Sequence, residues 1–376
     1  MTAKYLFIFF VILFGFTSCG KIVDPENLEN LGLTVYKISI SDDNYARIVS
    51  SSYSSLRITA KLSVEGKEFN IHMKYQGAST RGMLKKSFKL FYEDSSDPVF
   101  NSQEIILNAQ ATDLSALRTL TAQDIFTSAL PNTTFSVKPV MVEINDENQG
   151  LFVLIECVNE EFFHKRNIRL NELYKAINGK AQLSVKDKNW AGEGFEKILP
   201  DDGNFNNLED LLYSLDGNQV ANSGIKLDTL NYLKYMAASD FTCNWDGIIH
   251  NYYLAQTGPT DKYEIIPWDL DRSFNFFGFS DDVENSPVEN ILFNNLMSKL
   301  VYKNEYYKIL NELLSKYPDE KIDQFIAEKK ESIRQAYRND RWLQSAGYDL
   351  DNEAENLVQF LKSRRNYLIK KMSEEK

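Results

Sequence analysis

Residues 244–253, NWDGIIHNYY, and residues 266–273, IPWDLDRS, decide how the rest of this chain is read. Between and within them, residues 250–255 and 263–268 read as two short paired strands. Acidic and amide side chains therefore fall at both ends of a short hairpin: Asp246, Asn251, Asp269 and Asp271. Carboxylate and amide oxygens are the donors that hard divalent cations require. Trp245 and Trp268 flank these groups, so the carboxylates sit against bulky apolar rings and not on an open solvated face. An unpaired buried carboxylate is costly, so a metal or another cation is expected beside it. The same Asp and Asn residues could equally cap turns, and spacing alone does not separate the two readings.

Working outward, alternation predicts strands at 34–40, 68–75 and 87–92, then at 136–144 and 150–157 with turn chemistry over 145–150. Residues 76–86, QGASTRGMLKK, form a loop rich in small and basic residues. Residues 115–130 carry a helical stripe of Leu117, Leu120, Ile125 and Phe126, with Asp113 or Ser115 as cap and Pro131 just beyond. Residues 36–158 thus read as an antiparallel sheet with one inserted helix. Residues 159–240 are mixed, with a helix at 227–241. Helices are expected at 288–300, 305–316, 319–338 and 353–372. The fold class is α+β: a β-rich N-terminal lobe over 36–158 and a mostly helical C-terminal lobe over 159–376 that carries the hairpin.

The composition narrows the function. Lys and Arg number 42 against 53 Asp and Glu, a formal net charge of −11, which argues against a nucleic-acid partner because phosphate neutralisation needs a cationic surplus. The three cysteines Cys19, Cys157 and Cys243 match no zinc spacing and cannot form a disulfide framework. Cys157 and Cys243 lie in apolar surroundings and read as buried small residues; a bridge between them is left open. Near the N-terminus, Lys4 precedes an uncharged apolar run over 5–16, and Thr17-Ser18 leads into Cys19-Gly20. That run is too short to span a bilayer and has the layout of a secretory signal. Small residues before Cys19 resemble a bacterial lipobox, which implies a signal peptide over 1–18, lipidation of Cys19, and a lipidated N-terminus and tether over 19–35. The expected location is the cell envelope, outside the cytoplasm, anchored to a membrane by lipid.

From about residue 36 to residue 372 the chain resembles the CotH kinase-like family, named for a spore-coat protein and related to atypical secreted protein kinases. Gln76–Gly82 followed by Lys85-Lys86-Ser87-Phe88-Lys89-Leu90 looks like the family's "RGxSS…KKSY" region, with Gln76 in place of Arg. Asp113–Arg118 looks like "D-x-S-x-L-R". Asn145 through Glu156 looks like "N-G-E-x-x-G-x-Y-x-x-x-E", with Asp146 where Gly is usual. Residues 244–253 and 266–274 resemble "W-D-G-x-x-H-N-Y-Y" and "I-P-W-D-x-D-x-S-F", and together these two are specific. Asp246 and Asn251 also have the spacing of the Asp and Asn in a protein-kinase catalytic loop.

The resemblance implies a two-lobed kinase-like fold that transfers phosphate from ATP, with Mg2+ or Mn2+, to a protein hydroxyl. Asp246 would be the catalytic base, Asn251 a metal ligand, and Asp271 the metal-binding Asp, with Asp269 as second choice. Lys86, opening a strand after the loop, would contact phosphate, with Lys85 as the alternative and Arg81 able to reach bidentately. Glu156 reads equally as a hinge residue or an ion-pair partner, His250 as a core histidine, and Phe274, Phe276, Phe277 and Phe279 as core. Two other classes remain open: a binding or assembly protein that keeps the fold without transfer, and a different metal-dependent enzyme. The anchor is directly testable: Cys19→Ser should leave the protein unprocessed or released from membranes, and unchanged acylation in that variant would overturn the lipoprotein reading.

Overall fold

The computed structural model describes residues 28–376, apart from 52, 114, 185–191, 216–224, 261, 275, 277–289 and 376. The apolar run, Cys19, Phe277 and Phe279 lie outside the described residues. Seven strands come first: β1 (Val35–Ser39), β2 (Ile58–Val64), β3 (Lys67–Gln76), β4 (Ser87–Tyr92), β5 (Glu104–Asn108), β6 (Val137–Ile144) and β7 (Glu147–Glu156). The expected all-antiparallel sheet is corrected by one parallel pair. The order β1-β2-β3-β4-β5-β7-β6 closes into a barrel, because β1 pairs in parallel with β6 from Val35↔Met141 onward. Closure leaves no exposed edge. Period-2 alternation sends Tyr36, Leu62, Met73, Leu90, Leu107, Val142 and Leu154 inward, where all are buried in one core. The β6–β7 turn is tight: Asn145 and Asp146 both have positive φ, 48° and 64°, as a two-residue hairpin turn requires.

Two helices belong to this part, not one. Helix α1 (Asp42–Ser50) is capped by Ser41, whose hydroxyl accepts from Asn44 N. Helix α2 (Arg118–Ala129) starts three residues later than the sequence pattern suggests. The two cap candidates act from outside the helix: Asp113 Oδ2 accepts from Arg118 N and Ser115 Oγ from Leu117 N. Leu120, Ile125 and Phe126 are buried among Met141, Val153 and Ile155 of the barrel's outer face and residues of the C-terminal part.

The C-terminal part holds more strand than its sequence suggests. After α3 (Glu160–Lys165), β8 (Leu170–Ala176) and β9 (Phe195–Leu199) join β10 (Tyr252–Thr257) and β11 (Lys262–Pro267) in a four-stranded sheet of order β11-β10-β8-β9. Helices α4 (Asn206–Ser214), α5 (Thr229–Thr242) and the single turn α6 (Asp246–Ile249) lie between β9 and β10. The remainder is helical: α7 (Ile291–Met297), α8 (Leu300–Ser315), α9 (Asp319–Arg338), α10 (Arg341–Ser345) and α11 (Leu350–Glu374). None of the described helices is long and apolar enough to cross a membrane.

One buried carboxylate joins the two parts. Asp340, with 0% exposure, accepts from Lys85 Nζ at 2.6 Å and Leu151 N at 2.8 Å through Oδ2. Its Oδ1 accepts from Trp342 N and Leu343 N, capping α10. Gly150 makes this approach possible, since a Cβ there would stand 2.2 Å from Asp340 Oδ2. Removing one partner of a buried pair strands the other charge. Lys85→Ala should therefore cost about 3–5 kcal/mol in denaturant unfolding; a loss below about 1 kcal/mol would show that the pair does not hold the barrel to the helices.

Candidate active site

A cavity of about 200 Å³ opens between the barrel and the C-terminal sheet. Gln76, Ser87 and Asn108 line it from the barrel, and Asn251, Asp269, Asp271 and Arg272 from the other side. The β10–β11 hairpin explains this convergence. Its ladder runs to Tyr252↔Pro267 and ends with Trp268 N donating to Asn251 O. Asn251 and Asp269 thus sit together at the open end of the hairpin, opposite the 3₁₀ turn Gly258–Thr260. Strand pairing brings the acids together, not the short turn expected from sequence. Both residues are left-handed, with φ of 61° and 53°, a conformation that Asn and Asp tolerate better than most. A 3₁₀ turn, Leu270–Arg272, then presents Asp271.

Asp246, the first residue of α6, is 3% exposed and sits behind this wall. Its Oδ2 accepts from Asn251 Nδ2 at 3.0 Å and from Arg272 at 3.3 Å. Its Oδ1 accepts no hydrogen bond among the described residues; His250 Nδ1 is 3.7 Å away. That Nδ1 is itself buried without a partner among them, and His250 lines the cavity. His250 is therefore not the satisfied core histidine expected.

Thr112 Oγ1 donates to Asp271 Oδ2. The neighbouring Asp113–Arg118 stretch holds the same segment from beneath: Arg118 donates to the carbonyls of Ser273 and Phe274. Sequence reading gave this stretch a helix cap and a place in the family pattern, but no part in the site. Phe274 is buried as expected, whereas Phe276 is half-buried between the guanidiniums of Arg118 and Arg272, 6.0 and 5.8 Å from its ring. Glu156 is a structural partner, held by both guanidinium nitrogens of Arg166. Cys157 and Cys243 are free and buried, and burial pushes the Cys157 thiol up to about 12.

The basic residues expected at phosphate are elsewhere. Lys85 is committed to Asp340. Lys86 Nζ donates to Arg81 O, and Arg81 donates to the carbonyls of Tyr53 and Ser54. None of the three lines the cavity. Two adjacent lysines before a strand point to different sides, and sequence could not say which side faces the cleft.

Burial, reinforced by the Asp269 carboxylate, pushes Asp271 up to about 7. Asp269 is raised by burial as well, against the pull of Lys175. This excess of buried negative charge fits a divalent cation. Among the described residues no three His, Cys, Asp or Glu side chains enclose a metal. The donors are instead Asp271, Asp269 and the Oδ1 of Asn251, a sparse set of the kind Mg2+ uses when substrate phosphates complete its shell.

A family model described as "CotH kinase protein" matches residues 73–368, most of the chain. The chain belongs to the CotH kinase family. It is 26% identical over 361 residues to the inner spore coat protein H of Bacillus subtilis (strain 168), covering 91% of this chain and 98% of that one. The crystal structure of the Helicobacter pylori proinflammatory kinase CtkA is similar at 10% identity and a TM-score of 0.32, covering 75% of this chain and 94% of that one, too distant to place residues. The matched span includes residues 244–253 and 266–274, which build the acidic wall.

The raised Asp271 pKa has a consequence for stability. Between its ordinary 3.8 and about 7 the folded state binds the extra proton, so the stability of metal-free protein should fall as pH rises through that window. Asp271→Asn should flatten this dependence, and saturating Mg2+ should reduce it in wild type. A pH-independent melting temperature in metal-free wild type between 4 and 7 would contradict the assignment.

Proposed function

We propose that this chain is a metal-dependent phosphotransferase that moves phosphate from ATP to a protein hydroxyl. The observation that carries the reading is the placement of Asn251, Asp269 and Asp271 on one cavity wall with Asp246 directly behind them. On this reading the barrel and the C-terminal part are the two lobes of a kinase-like fold, with the cavity as the nucleotide cleft. Asp271 and Asn251 would hold Mg2+ or Mn2+, with Asp269 in support; the ion supplies charge neutralisation on the transferring phosphate. Asn251 and Arg272 fix Asp246 through Oδ2, which leaves Oδ1 to take the proton of the acceptor hydroxyl. The hydroxyl oxygen forms the new P–O bond, the bond to the γ-phosphorus breaks, and ADP leaves. Positioning and charge placement suffice for such a transfer.

The lipobox likeness supports an activity outside the cytoplasm, on a membrane-anchored protein. One observation favours a binding protein without transfer activity: Lys85, Lys86 and Arg81 are spent on structural contacts. Incubation with labelled ATP and Mg2+ or Mn2+ separates the two. Asp246→Asn should keep metal–nucleotide binding and lower turnover about 10²–10⁴-fold, the usual loss of a general base. Asp271→Ala should abolish metal–nucleotide binding. Wild type that binds the nucleotide but labels no acceptor would favour the binding protein.

A further inference from the structure

Lys74 of β3 and Lys89 of β4 stand directly opposite each other in register. Their neighbours Met73, Tyr75, Phe88 and Leu90 are buried inside the barrel, so the pleat puts both lysines on its outer face. Like charges opposed across strands are destabilising. Lys89 has Glu104 at 2.7 Å. Lys74 is half-buried and has no ion pair or hydrogen bond among the described residues; burial, then Lys89 and Arg57, hold its pKa below the ordinary value. Both ammonium groups flank the ring of Phe91, at 5.8 and 5.1 Å, with Arg57 stacked on it at 3.8 Å.

Lys175 of β8 is in the same condition. It is half-buried, with no ion pair or hydrogen bond among the described residues, and stands 5.8 Å from the rings of Trp268 and Tyr253. Burial lowers its pKa, opposed chiefly by Asp269, and Lys89 acts on it as a further cation. None of the three lysines lines the cavity itself, but the strip adjoins it: Gln76 and Ser87, one pleat along from Lys74 and Lys89, line it, as does Ile106, the register partner of Lys89. In a chain of net charge −11, these three lysines have one carboxylate within ion-pair distance, Glu104 on Lys89, while Asp269 and Glu196, the register partner of Lys175, act on Lys175 from farther off. Half-buried cations are ordinarily paired, so a ligand is the expected counter-charge. A single carboxylate would satisfy one of them, whereas a chain of phosphates carries several charges at successive positions.

We infer that Lys74, Lys89 and Lys175 form an anion seat beside the acidic wall, receiving the phosphate chain of a polyphosphate ligand. That the ligand is a nucleotide rests on the proposed function; the seat itself does not. Calorimetric titration of the full chain with inorganic tripolyphosphate, without metal, tests the seat alone. Lys74→Gln, Lys89→Gln and Lys175→Gln should each weaken binding about tenfold, the usual cost of one lost charge-assisted contact. Lys74→Arg should retain affinity and Lys86→Gln should leave it unchanged. Affinity within twofold of wild type in all three Gln variants, with melting temperatures preserved, would overturn the seat. If Lys74→Gln or Lys89→Gln does not fold, Lys175→Gln on the other wall decides alone. A parallel titration with Mg–ATP separates the sources: tripolyphosphate bound through the lysines, with Mg–ATP no tighter than tripolyphosphate, sinks the nucleotide reading and keeps the seat.

Discussion

The carboxylate of Asp340 has no access to solvent, and it binds the first residues of α10, the middle of the β7 strand and the ammonium of Lys85 at once. A charge in that position is tolerable only because four donors meet it. The contact fixes the barrel against the C-terminal helices, and the cavity exists because that orientation is held. It also explains two sequence features that look unrelated: the glycine at 150, which clears room for the carboxylate, and the lysine at 85, which is a structural cation.

With the parts so fixed, the acidic wall of the cleft and a cationic strip beside the cleft carry opposite charge. The acidic wall comes from a strand hairpin whose open end gathers Asn251, Asp269 and Asp271. The cationic strip comes from the outward face of β3 and β4, with Lys175 from β8. Burial acts against charge on both sides: the carboxylates of Asp269 and Asp271 are driven towards protonation, and Lys74 and Lys175 towards neutrality. On the proposed reading, a ligand carrying both a divalent cation and phosphates would relieve both. The net charge of the whole chain is a poor guide to the local field here.

Much of this was legible in the sequence where the determinants are local. Helix α9 spans the residues its periodicity indicates, and β4 coincides with the alternating run 87–92. The site segments were legible too, because Asp246, Asn251 and Asp271 lie within one hairpin and its flanks. What was missed is non-local. Barrel closure depends on β1 finding β6 across about a hundred residues, and β5, a short apolar run, carries no period of its own. Lys85 could not be separated from Lys86 without knowing of a carboxylate 255 positions away. Lys89 could have been found: alternation in Ser87-Phe88-Lys89-Leu90 puts Ser87 and Lys89 on one face and the apolar residues on the other.

The most direct measurement is a crystal structure of the protein with Mn2+ and a non-hydrolysable ATP analogue. The account requires the anomalous signal of Mn2+ in direct coordination with Asp271 and Asn251, and the phosphate chain running towards Lys89 and Lys74. A nucleotide bound away from this cleft, or an analogue in the cleft whose metal touches neither Asp271 nor Asn251, would contradict it.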